Sequence, residues 1–182
     1  MSGSVWRPLF RNNVDKNPLH PGNGNPSQRH VPEAGIRYHM QPRFSHELQP
    51  GDEYEPLFFV VSAELNQQFL YALGNFHPRY IEGRNGLPPL VHPVILLHHT
   101  PRTRSPSYRL APGMGSVFAR DRTRFIKPAR IGQLLKTSWR IDACYEKRGR
   151  LFQDYTARID DELNAAILDR QMTSVFRMGE MQ

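Results

Sequence analysis

The sequence predicts an α+β domain with its helices on one face of an antiparallel sheet, the sheet curving around one buried apolar helix. Three stretches predict it. Residues 62–74 follow a strand-like run and carry apolar side chains at helical spacing, while residues 90–97 are apolar on nearly every side. Residues 135–145 then alternate apolar and polar positions, and turns separate them from two further strand-like runs.

The elements follow in order. Residues 1–36 hold Pro8, Pro18, Pro21, Pro26 and Pro32 with Gly22 and Gly24, and show no period, which predicts an extended arm ahead of one domain over 37–182. Gly51 and Asp52 mark a turn, and Leu57–Val61 has the Phe and Val content of a strand. Ser62 offers an N-cap oxygen, and Glu64 suits the positive end of a helix dipole. Leu65, Phe69, Leu70 and Leu73 supply its apolar stripe, and Gly74 stops it. A proline- and glycine-rich loop runs to Pro89, and Leu90–Leu97 is expected to be a core helix with Pro93 in its first turn, where a missing N–H costs nothing. One strand is expected around Arg120–Ile126 and three more over Leu135–Tyr145, Leu151–Ile159 and Ala165–Arg177. In the first of these three, Trp139, Ile141 and Tyr145 should pack on the core helix, with Cys144 facing away.

With 182 residues the chain can bury a sizeable core without staples. Its single cysteine, Cys144, excludes an internal disulfide and a Cys-based zinc site, and fits a reducing compartment; a cytoplasmic protein is expected. No run approaches the roughly 20 apolar residues of a membrane span, and no secretory signal is visible in the first thirty residues. The formal charge of +7 would suit a nucleic-acid partner. However, the arginines are spread along the chain, and no basic strand is interleaved with aromatics, so a nucleic-acid interface is not expected.

One stretch carries chemistry. Tyr71-Ala72-Leu73-Gly74-Asn75-Phe76-His77-Pro78-Arg79-Tyr80 resembles the signature of MaoC-like (R)-specific enoyl-thioester hydratases, which reads Gly-Asp-any-Asn-Pro-aliphatic-His after a short helix. Gly74 and Pro78 match it. Asn75 stands on the Asp, His77 on the Asn, Arg79 on the aliphatic residue and Tyr80 on the His. Arg124-Phe125-Ile126-Lys127-Pro128-Ala129-Arg130-Ile131-Gly132 resembles the family's entry into its long strands, and Val91-His92-Pro93 its "apolar, His, Gly" helix start. The resemblance implies a hotdog fold and a pocket for an acyl thioester, with CoA or carrier-protein pantetheine as part of the substrate and no other cofactor or metal. It also implies a homodimer, or a heterodimer with another hotdog subunit.

In the family the Asp and His hold one water that adds across the enoyl double bond, or leaves in the reverse dehydration, because two proton-transfer groups at one water serve as base and acid. Here Asn75 accepts no proton, the Tyr80 hydroxyl ordinarily titrates near pH 10, and Pro93 has no N–H with which to polarise the thioester oxygen, leaving that task to Val94. Three readings stay open. His77 acts as base and Tyr80 as acid, with Asn75 orienting; or the chain is a non-catalytic partner in a heteromeric dehydratase; or the pocket serves an isomerase or cyclase. Pro78, His92 and Val94 would line the substrate, and Arg102, Arg104 and Arg109 would grip its phosphates.

Each of these residues has a plainer reading. His77 is then an exposed loop residue, Tyr80 a buried ring with a bonded hydroxyl, Asn75 a left-handed turn residue, and the three arginines a solvated loop. His92, His98 and His99 lack a carboxylate at metal-ligand spacing, which makes a metal site the weaker explanation.

Overall fold

The computed structural model describes residues 43–178, and the expected arm over 1–36 lies outside them. Among these residues five strands form one antiparallel sheet: β1 (Glu53–Val60), β2 (Met114–Phe125), β3 (Leu134–Lys147), β4 (Arg150–Asp161) and β5 (Ala166–Met178). Their spatial order is β1-β3-β4-β5-β2, which leaves β1 and β2 as the edges. Two helices, α1 (Ala63–Leu73) and α2 (Pro93–His98), come between β1 and β2 in the chain. The α+β class is the one expected.

Helix α1 begins and ends as its sequence dictates. The Ser62 Oγ accepts the Leu65 N–H at 3.2 Å, and Gly74 closes the helix at φ 61°, a left-handed value that glycine adopts without Cβ strain. Leu70 is buried and Leu65 and Phe69 are half-buried, so one stripe faces the sheet. Helix α2 is shorter than expected. It spans six residues, or about 9 Å of axis, and buries Ile95 and Leu96, while Val94 and His98 are exposed. Burial on all faces is therefore corrected: one narrow helix touches the sheet along a single stripe.

The sheet face beneath the helices carries two apolar clusters. Ile95 and Leu96 pack with Val61, Leu135, Ile159, Ile167 and Leu168. Farther along the same strands, Leu48, Tyr54, Trp139, Ile141, Tyr155 and Met172 form the second cluster. The expected packing of Trp139, Ile141 and Tyr145 on α2 is thereby corrected, because so short a helix covers only one end of a strand of 14 residues. Trp139 still reaches the helix end, donating from Nε1 to the Thr100 carbonyl at 2.6 Å.

Tyr145 differs for another reason. The β3–β4 register shifts between Ile141 and Ala143, a bulge that adds one residue and reverses the facing of everything beyond it. Cys144 consequently turns inward, with its thiol on the Leu48 carbonyl at 3.2 Å, and Tyr145 turns out to stack on Phe152. A second bulge between Tyr54 and Leu57 lets both of those side chains face in, and it brackets Pro56, which cannot donate to a ladder and belongs on an edge strand.

Candidate active site

The site is built where α1 ends and α2 begins. Past Gly74 the chain drops into a single 3-10 turn, Pro78–Tyr80, with His77 as its cap: the Arg79 N–H donates to His77 Nδ1 at 3.3 Å. It then passes a tight reversal at Asn85 and Gly86, both left-handed, where Arg84 and Leu87 exchange backbone hydrogen bonds. Pro88 and Pro89 lead back to Leu90, whose N–H donates to the Arg79 carbonyl, and to Val91, whose N–H donates to Ala129. Residues 75–92 thus form a closed excursion whose two ends lie side by side.

Three side chains meet there. Asn75 Nδ2 lies 3.1 Å from His92 Nε2, and the Tyr80 ring stands 4.9 Å from the His92 ring at 60°. His92 is buried, and loss of hydration holds its pKa below the ordinary imidazole value, so it is neutral near pH 7. Its Nδ1 also accepts the Val94 N–H at 3.4 Å, capping α2. A neutral imidazole has one bare nitrogen, so it accepts either from Val94 or from Asn75 at a given moment.

The other expected site residues are distributed as follows. His77 is exposed on the rim, 6.2 Å from the Tyr80 ring, and both its ring nitrogens face Arg79. Pro78 is exposed at the first position of the 3-10 turn. Val94 presents the first backbone N–H of α2, since Pro93 has none. The phosphate-gripping trio does not converge. Arg102 is buried, bonded to Gln153 Oε1 and to Ser116 Oγ, with the Tyr155 and Phe176 rings each 4.8 Å from its guanidinium carbon. It is corrected from a ligand-gripping residue to a core residue, while Arg104 and Arg109 are exposed. His92 and His99 cap opposite ends of α2.

The sequence reading missed Asn66, which is wholly buried in the apolar stripe of α1. Its Nδ2 donates to the Tyr80 carbonyl at 3.0 Å and to the Leu90 carbonyl at 3.4 Å, and its Oδ1 accepts the His92 N–H at 2.9 Å. The signal was visible: a polar residue inside a stripe of Leu65, Phe69 and Leu70 must bond or pay for its desolvation.

A cavity lies elsewhere. About 850 Å³ opens on the opposite sheet face between Arg122, Arg124, Arg140, Arg158 and Asp169. Arg140 and Arg158 are paired with Asp142 and Asp160, so this is a charge-laced surface trough. It contains none of the three clustered side chains.

This five-stranded antiparallel sheet with its helices is similar to a group of solved hotdog-fold structures. The chain adopts the hotdog fold. The MaoC-like dehydratase from Rhodospirillum rubrum is similar at a TM-score of 0.59 and 17% identity, covering 77% of this chain and 99% of that one. The (R)-hydratase from A. caviae involved in PHA biosynthesis is similar at 0.57 and 18%, covering 70% and 96%. A third, the C-terminally truncated HadBC (3R-hydroxyacyl-ACP dehydratase) complex from Mycobacterium tuberculosis, reaches 0.54 and 19%, covering 70% and 97%. No sequence-family model and no curated protein matches the chain. Among the described residues, no helix of this hotdog domain is long and apolar enough to cross a membrane.

Proposed function

We propose that this hotdog domain binds an enoyl or 3-hydroxyacyl thioester and adds or removes water, with His92 as the proton-transfer group and Asn75 and Tyr80 orienting the water. The observation that carries this reading is the meeting of Asn75, Tyr80 and His92 at the start of α2. In hydration, neutral His92 takes a proton from water as the oxygen bonds to Cβ, and the proton is returned to Cα. No carboxylate is needed, because one imidazole of lowered pKa both accepts and releases the proton. The thioester oxygen takes the Val94 N–H from His92 Nδ1, which leaves the imidazole free to turn its bare nitrogen to the water. His77, on the rim beside Tyr80, guards the entrance, with Arg104 and Arg109 left for the phosphates.

The test is loss of enoyl absorbance with crotonyl-CoA. His92→Gln should abolish it, and His77→Ala should reduce it by less than about tenfold. Full loss in His77→Ala with survival in His92→Gln would return the base role to His77.

A second reading, a helper subunit of a heteromeric dehydratase, is favoured by Asn75 standing where a carboxylate serves the catalytic family members and by β2, which among the described residues is an edge of the sheet. Val117 and Phe118 are exposed on that 12-residue edge. Among the described residues no strand pairs with the outer side of β2, and such an edge with apolar side chains is suited to a second hotdog subunit, identical or not. Activity that appears only when a second hotdog protein is added would favour this reading.

A further inference from the structure

We propose that Asn66 is the positioning residue of the site, fixing the His92 imidazole against Asn75 and Tyr80 by tying both ends of the 75–92 excursion to α1. This rests on the reading that those three side chains form the reacting centre. The three hydrogen bonds of the Asn66 side chain all go to backbone, at Tyr80, Leu90 and His92.

The chemistry of the amide explains the choice of residue. Two donors and one acceptor meet two carbonyls and one N–H, so every group is matched. Asp would keep the acceptor, lose both donors and set a charge against two carbonyls. Gln would overshoot by a methylene, and Leu, the natural occupant of an apolar stripe, would leave three backbone groups unmatched. The tie also spans sequence. Tyr80 and His92 are 14 and 26 residues from Asn66, and Asn75 follows directly from the helix that carries it. Helix α1 therefore holds Asn75 by covalent continuity and Tyr80 and His92 by one amide.

The test compares Asn66→Asp and Asn66→Ala with the wild-type chain. Far-UV circular dichroism checks folding, the His92 Cε1–H resonance is titrated by NMR, and crotonyl-CoA hydration is measured across pH. The wild-type His92 titrates below the ordinary value because it is buried. With the tie cut it should rise, through water entry in Asn66→Ala and through the added charge in Asn66→Asp. The fall in kcat should exceed about tenfold, with KM changed less than about threefold. A folded variant whose His92 titration and kcat are unchanged overturns the proposal. So does failure of both variants to fold, which would make Asn66 a stability residue. If the wild type hydrates nothing but His92 still shifts in the variants, the reaction assignment fails and the positioning role stands.

Discussion

Lowering the pH should destabilise this domain through one imidazole. His99 stacks on Phe59 with ring centroids 4.0 Å apart, and its Nδ1 is buried without a partner. Burial first, and then the positive charges of Arg104 and His98, lower its pKa from 6.5 to about 4. The group is thus neutral in the fold, while the unfolded chain takes up a proton below about pH 6.5, so stability is present above that pH and is lost as the pH falls toward 4. At pH 5 the shift corresponds to about 2 kcal/mol lost relative to pH 7, and to about 3 kcal/mol once the pH is below both values. Urea unfolding of the wild type and of His99→Phe at pH 7 and pH 5 isolates the effect, because the stack is retained and every other titrating group cancels. The variant should lose about 2 kcal/mol less than the wild type across that interval. Equal losses would refute the argument.

Three further outcomes follow from packing. Gln153→Leu should cost about 2–4 kcal/mol in urea unfolding, by stranding the buried Arg102 guanidinium, and adding Arg102→Leu should recover part of that loss. Gly74→Ala should lower stability by about 1 kcal/mol in thermal melts, because the position is left-handed although its surroundings are open. Trp139→Phe removes the donor to the Thr100 carbonyl and leaves a void in the second cluster; a loss of about 2 kcal/mol is expected by chemical denaturation.

The layout was legible because its signals are local. The turn at Arg148 and Gly149, both left-handed, falls where the alternation of β3 breaks off, and Ser62 and Gly74 bracket α1 as written in the sequence. Non-local facts were not legible. Nothing in the string Ile141-Asp142-Ala143 announces a bulge, because the extra residue exists only relative to the partner strand, and the facing of Cys144 and Tyr145 was inverted as a result. Strand β2 begins at Met114, ahead of the expected Arg120, because its first residues are fixed as strand by pairing with β5, which the local sequence does not show. In the site, Asn75 and Tyr80 were singled out by the resemblance of residues 71–80 to the MaoC-like signature, whereas their meeting with His92 depends on a contact across 17 residues that no local motif encodes. Arg102 looked like its neighbours Arg104 and Arg109, and only the aromatic rings brought from distant strands distinguish it.

The division of the sheet face into two clusters has an evolutionary consequence. Residues under α2 support the Asn75, Tyr80 and His92 arrangement, while the Trp139 and Tyr155 cluster and the Arg102 guanidinium stabilise the far end of the same strands. Substitutions around that arrangement can accumulate at one end while the other keeps the scaffold standing, so side chains there can change without the chain first losing the ability to fold.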